Sequence, residues 1–512
     1  MMSEALPRGE NPFDDSGIVR GSDGVARYET LPQSLVAMFR AWVERTPSAE
    51  AVAEVGGERV TYRELWDRSA RVAGGLRDRG VNFGDRVAIR LPAGLAWVEA
   101  FFGILMAGAT VVPVNTRLTE TEVEYVVSDA TCKFTFSAAD AQPAGSPFVK
   151  NDIVANDRAA IFYTSGTTGF PKGAITTHAA FLTNCENMLR VFFAGLVNNE
   201  IVRTLISVPL FHVTGCNSQL LSAMYVGGAS VVLPALDLAV FLRTTVEERV
   251  NALVTVPAVY SLALNHAQFA STDVSLVQRV GYGGAPIAPA LVHRLKAAFP
   301  NAFVSNGFGM TESASLLTSL PHEYAADHAG SIGFACPVVD IALEDVSLQS
   351  GVGQLLVRGA NVTPGYWNKR EATEQTIVDG WLRTGDLARV DERGFLYIVD
   401  RAKDMINRGG ENVYCVEVEN ALAGAPGIVE AAVVGVPDEV MGEKVGLIVV
   451  PAPGATIDVE AVIDSLVGKI ADFKLPQYLS IRNEPLPRNA GGKVIKPVLR
   501  RETQWGNSLR RR

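Results

Sequence analysis

The chain of 512 residues is poor in cysteine: Cys132, Cys185, Cys216, Cys336 and Cys415 are odd in number and far apart. They form neither a disulfide framework nor a CxxC metal clip, so a reducing compartment, the cytoplasm, is expected. No basic start followed by an apolar run opens the chain, and the longest apolar stretch, near Phe101 to Val114, is too short to span a bilayer. Neither export nor membrane insertion is expected. Positive charge is also in short supply: 46 Lys and Arg stand against 55 Asp and Glu, a net charge of −9. Binding to a phosphate backbone by counterion release needs clustered cations, so nucleic acid is not an expected partner. The basic end, Arg510, Arg511 and Arg512 beside Trp505, reads as a solvated tail, and membrane contact is not expected. HEYAADH (322–328) lacks the spacing of the zinc-binding HExxH pair. Tandem repeats and long low-complexity segments are missing too.

What is present is material for a large core, 48% hydrophobic residues with 20% charged. At about 150 residues per domain the length suggests roughly three to four domain-sized units. From Glu58, short β-branched runs alternate with helical stretches, the signature of parallel-sheet α/β units. Strands are expected at RVAIRL (86–91), TVVPV (110–114), AAIFY (159–163), TLISV (204–208), ASVVL (229–233), ALVTV (252–256) and RVGYG (279–283), with a helix over 94–109. From about residue 330 the texture turns Gly-punctuated and β-rich, as in GQLLVRGANVTPGYW (353–367), which suggests a small barrel or meander. Beyond Asp400 an α+β pattern starts, with a helix at 416–424, a strand at 428–436 and a helix over 456–470. The expected class is α/β: a loosely packed arm (1–30), a large N-terminal unit of two layered α/β subdomains plus a small β-barrel (31–400), and a small mobile α+β unit (401–512), with the boundary near Arg401 to Asp404.

Chemistry concentrates in a few strings. YTSGTTGFPKGA (163–174) follows a strand, and Thr164, Ser165, Gly166, Thr167 and Thr168 offer hydroxyls and backbone N–H groups to a polyphosphate, with Lys172 as a point charge. The order Lys172-Gly173-Ala174 is not the Gly-Lys-Ser/Thr of a P-loop. A Gly/Ser/Thr run alone also fits a flexible turn. In GFGMTE (307–312), Phe308 offers a ring to stack on adenine, Thr311 a hydroxyl for a phosphate, and Glu312 a carboxylate for Mg²⁺. A buried aromatic beside a surface Thr-Glu pair is the plainer reading of that string taken alone. Gly283 and Gly284 in GYGGAPI (281–287) let backbone approach a purine closely. Asp386 in RTGDLA is acceptor-only and suits a ribose cis-diol. Lys493 in NAGGKV can present an ammonium where carboxylate meets phosphate.

Together with PLFHVTG (209–215), NGFGMTES (306–313), GWLRTGDLA (380–388), DRAKDMINRGGENVYCVEVE (400–419) and PRNAGGKV (487–494), in this order, these strings resemble the adenylate-forming superfamily over roughly residues 30–500. That superfamily holds acyl-CoA synthetases, aryl-CoA ligases, luciferases and amino-acid adenylation domains. The resemblance implies ATP, Mg²⁺ and CoA as cosubstrates and cofactor. It assigns Ala285, Gly309 and Met310 to the nucleotide, Arg401 to the ribose, His212 to a gate between nucleotide and acyl pockets, and Lys493 to adenylation. Arg408, Gly409 and Gly410 fall to CoA, and Lys403 to the hinge. Phe308, Gln354, Cys415 and Gly491 depart from the family's usual Tyr, Glu, Pro and Thr or Ser.

The function expected is an AMP-forming acyl-CoA synthetase: a small-molecule carboxylic acid becomes acyl-AMP and then a CoA thioester. Loading of a carrier-protein phosphopantetheine, or non-catalytic binding of an acyl-adenylate, are the alternatives. An amino-acid substrate is disfavoured because PLFHVTG lacks the Asp that holds an α-ammonium. The segments 206–221, 255–262, 281–287 and 306–317, expected around the acid, contain no Lys or Arg. An apolar monocarboxylic acid is therefore expected, a fatty acid first and an aryl acid second. Oligomeric state is unknown from sequence.

Overall fold

The computed structural model describes residues 4–138, 142–164, 171–197, 200–409, 411–422, 424–488, 494–506 and 509. The β-branched runs form two α/β layers. In one, the strands Cys132–Ser137, Arg86–Arg90, Thr110–Pro113, Arg158–Thr164 and Lys172–Thr177 lie side by side in that order, parallel except for the last pair. The helix Leu95–Met106 is apolar on nearly every side, so all of its residues but Ala96 and Glu99 are buried. It packs on the helix Tyr62–Asp78, whose start is fixed by a capping box between Thr61 and Glu64.

The second layer is a nine-stranded sheet. At its centre Ala252–Thr255, Arg279–Gly283 and Phe303–Met310 run parallel, and Ser315–Leu320 returns antiparallel beside them. The strings GYGG and GFGMTE thus sit at the carboxyl ends of neighbouring parallel strands, where ligands of open α/β sheets bind. A five-stranded antiparallel unit follows, built on Trp381–Val390 and closed by Leu396–Arg401. The last sheet begins at Ile406–Arg408 and is dominated by the hairpin Ile428–Asp438 and Gly442–Pro451, with Tyr478–Ile481 parallel to its second strand.

Two expectations need correction. The helix expected over 456–470 is only Val459–Asp464, capped by the Asp458 carboxylate; beyond it Val467 bridges Ile470 around Gly468 at φ +80°. The arm, expected to be loosely packed, is tied down. Arg8 donates to the carbonyls of Ala335, Cys336 and Pro337, and Asn11 Nδ2 to the Ala335 carbonyl at 2.8 Å. Arg20 pairs with Asp340 at 2.6 Å, and the Tyr28 hydroxyl donates to Asn187 at 2.7 Å. Among the described residues no helix is long and apolar enough to cross a membrane.

Candidate active site

A cleft lies between the nine-stranded sheet and the chain that crosses its face. Its floor is a row of small side chains, because the strand register sets Val254 beside Gly281, Gly281 beside Ser305, and Gly307 beside Ser319. Met188, Val191 and Phe192 from the end of the helix His178–Met188 and the π turn after it form the opposite wall, with Val213, Thr214 and Ser218. A Cβ at Gly281 would stand 3.1 Å from the Phe192 ring, so glycine keeps the slot open. Among the described residues, every one lining it is uncharged.

At one end the slot meets Gly283, Gly284, Phe308, Gly309 and Met310, which the sequence assigned to the nucleotide. Ala285 follows Gly284, exposed at the mouth. Close backbone approach explains the glycine at position 309: a Cβ there would sit 1.5 Å from the Ser315 carbonyl oxygen. The turn that follows is strained at Ala314 (φ 53°) and Ser315 (φ 116°). Three buried asparagines hold it. Asn361 Nδ2 donates to the carbonyls of Ser313 (3.0 Å) and Leu316 (2.8 Å), Asn217 Nδ2 donates to the Ala314 carbonyl, and Asn184 Oδ1 accepts from the Leu316 amide at 2.8 Å. None of the three stood in a motif.

Thr311 and Glu312 sit on that turn. Glu312 is 8% exposed, and its Oε1 accepts from the Tyr366 hydroxyl at 2.8 Å. No hydrogen bond among the described residues engages its Oε2, which fits a carboxylate reserved for a cation. Among the described residues no group of three or more His, Cys, Asp and Glu side chains is placed to hold a metal. Thr164 and Lys172 face one another across the hairpin of Arg158–Thr164 and Lys172–Thr177, and the Lys172 ammonium stands 5.2 Å from the centre of the Tyr366 ring. Ser165, Gly166, Thr167 and Thr168 lie outside the described residues. His212 is half-buried against Phe211 at 5.3 Å, one residue from Val213 of the slot.

Asp386 and Arg401 are register partners, and Arg401 Nε donates to Asp386 Oδ1 at 2.9 Å. The Arg401 side chain thus meets Asp386, the other residue expected at the ribose. Asp400 turns inward and accepts from the amides of Arg401 (2.7 Å) and Cys415; burial pushes its carboxyl up to about 6. It joins the strand Leu396–Arg401 to the helix Cys415–Ala421 across the segment that holds Lys403. Cys415 is a buried thiol whose Sγ donates to the Asp404 carbonyl at 3.0 Å. Arg408 ends the strand Ile406–Arg408 and Gly409 follows in a turn; Gly409, at φ +62°, donates its N–H to the Met441 carbonyl at 2.7 Å. Gly410 and Lys493 lie outside the described residues.

Comparison with known proteins places the whole chain. The AMP-binding enzyme model matches residues 39–150 and 136–367, and the AMP-binding enzyme C-terminal domain model matches 417–493. A feruloyl-CoA synthase of Amycolatopsis sp is 36% identical over 486 residues, covering 89% of this chain and 96% of that protein. A long-chain-fatty-acid–CoA ligase of Mycobacterium tuberculosis is 33% identical over 499 residues, covering 91% and 97%. Among solved structures, the o-succinylbenzoate CoA synthetase of Bacillus subtilis with its acyl-adenylate superposes with a TM-score of 0.84 at 26% identity, over 93% of this chain and 100% of that one. With both domain models matched and relatives 33% and 36% identical over nearly the whole chain, the chain belongs to the AMP-binding enzyme family and, within it, to the adenylate-forming acyl-CoA synthetases.

Proposed function

We propose that this acid–thiol ligase activates an apolar-tailed monocarboxylic acid, fatty or aryl, with ATP and Mg²⁺ and passes it to CoA. The observation that carries the reading is the uncharged lining of the slot. A second carboxylate there would be desolvated without a partner, at a cost of several kcal/mol or more. The similarity to CoA ligases of ferulate and of long-chain fatty acids supports both the acid class and CoA as acceptor.

In the first half-reaction a carboxylate oxygen attacks the α-phosphorus of ATP in line, and pyrophosphate leaves. Phe308 stacks on the adenine while the glycine backbone of 283–284 lies against it. Asp386 accepts from the ribose hydroxyls, sharing its charge with Arg401. Lys172 neutralises phosphate oxygens. Mg²⁺, when bound, screens the triphosphate charge, and Glu312 is the residue that would hold it. Lys493 offsets the repulsion between incoming carboxylate and phosphate, an interaction strongest in the transition state. In the second half-reaction the C-terminal unit turns about Lys403, Lys493 withdraws, and Arg408, Gly409 and Gly410 guide the pantetheine arm. The thiol then attacks the carbonyl of the mixed anhydride, and AMP leaves.

The test is pyrophosphate release, with and without CoA, over octanoate, palmitate, coumarate and malonate. Release should depend on an apolar acid, and CoA should convert the adenylate to thioester. Malonate with the highest kcat/KM would refute the charge argument.

A further inference from the structure

Tyr366 lies outside every string that pointed to the nucleotide, yet it stands between the two charged side chains assigned to the triphosphate. Its hydroxyl donates to Glu312 Oε1 at 2.8 Å, and its ring centre lies 5.2 Å from the Lys172 ammonium. The segment that carries it is fixed from several sides. Gly365 O accepts from the Ile175 amide at 3.0 Å, and the Trp367 amide donates to Gly173 O at 2.8 Å, so Tyr366 is clamped along the strand that begins at Lys172. The Trp367 indole donates to the Asp129 carbonyl at 3.1 Å, and Lys369 binds the Asp129 carboxylate at 2.7 Å. The Thr363 amide donates to the Glu312 carbonyl at 2.7 Å, and the Thr363 hydroxyl to Ile175 O at 2.7 Å. The ring is left with one place to be.

In the 2.8 Å contact the Tyr366 hydroxyl is the donor and Glu312 Oε1 the acceptor, which leaves Oε2 for another partner. A carboxylate held by one oxygen presents the other in a fixed direction, as outer hydrogen-bond partners of metal ligands do. We propose that Tyr366 is a positioning residue that aims Glu312 Oε2 at the metal of MgATP and braces Lys172 on its ring. One side chain then sets the spacing between the carboxylate and the cation that grip the triphosphate. This rests on the reading of Glu312 given under the proposed function.

Tyr366→Phe removes the hydroxyl and leaves the ring under Lys172. Isothermal titration of the full-length protein with ATP, in Mg²⁺ and in EDTA, is run for wild type, Tyr366→Phe, Glu312→Gln and the double variant. Tyr366→Phe should weaken binding in Mg²⁺ roughly tenfold, leave binding in EDTA unchanged, and add nothing to Glu312→Gln. Equal weakening in EDTA, or an undiminished effect in the double variant, overturns the proposal while Glu312 keeps its assignment. A Glu312→Gln variant that binds ATP in Mg²⁺ like wild type removes Glu312 from the metal and takes the proposal with it.

Discussion

Replacing Asn361 by alanine is expected to loosen the turn that carries Glu312. The Asn361 side chain is fully buried and serves two carbonyls, those of Ser313 and Leu316. In the alanine variant both lose their donor inside the protein, and each buried group left unpartnered costs about 1–3 kcal/mol. Water entering the vacated space offsets part of this, leaving about 2–4 kcal/mol for the pair. The turn has little reserve, because the positive φ values of Ala314 and Ser315 already cost about 1–3 kcal/mol each. With 1.4 kcal/mol per decade, local opening of residues 306–320 should become roughly 30- to 700-fold more frequent. Hydrogen–deuterium exchange read by mass spectrometry on peptides from this segment measures that ratio, and acid-dependent pyrophosphate exchange should fall in parallel. Unchanged exchange in 306–320, or an equal rise throughout the N-terminal unit, would refute a local role for Asn361.

Lys493→Ala should abolish acyl-AMP formation yet spare thioester formation from supplied acyl-AMP, whereas Gly410→Leu should do the reverse; equal loss of both half-reactions in folded variants contradicts the division of labour. Gly309→Ala should abolish ATP binding because its Cβ meets Ser315 O; wild-type affinity in a folded Gly309→Ala variant would be evidence against the close approach. His178 accepts from the Leu35 amide, and burial pushes it down to about 4. The unfolded chain therefore takes up a proton that the folded chain refuses: this stability is complete above about pH 6.5 and is lost as pH falls towards 4, to a total of about 3 kcal/mol. His178→Gln should flatten the fall in urea midpoint between pH 7 and 5, and an identical fall in both proteins would exclude His178 as its source.

The parallel strands were legible because β-branched runs between helical stretches have one common solution, two covered sheets. The strings assigned to the nucleotide stand out because phosphate and purine demand small residues and hydroxyls in tight succession. Tyr366 and Asn361 were not, since their partners lie 54 and 48 residues away and local spacing holds no trace of them. The C-terminal helix was overdrawn for a related reason: its apolar period continues to Ile470, but the chain turns at Gly468 to make a bridge that periodicity does not encode. The arm misled by composition, because NPFDDSG reads as loose while Arg8 and Asn11 find their carbonyls more than three hundred residues on.

That last contact sets a timetable for assembly. Glu10 and Arg393, which the arm joins, are 383 residues apart. At about 5–20 residues per second of synthesis, the arm leaves the ribosome roughly 20–80 s before Arg393 does. Helices and parallel strands of the first layer condense within that interval, since folding events of single domains take microseconds to seconds. The arm must wait, with Leu6 and Phe13 uncovered, and it seats only when the strand Leu396–Arg401 exists to complete the antiparallel unit. A segment made well before its partners is thus among the last to dock, and the elongation rate, more than any conformational search, governs how long the nascent chain exposes it.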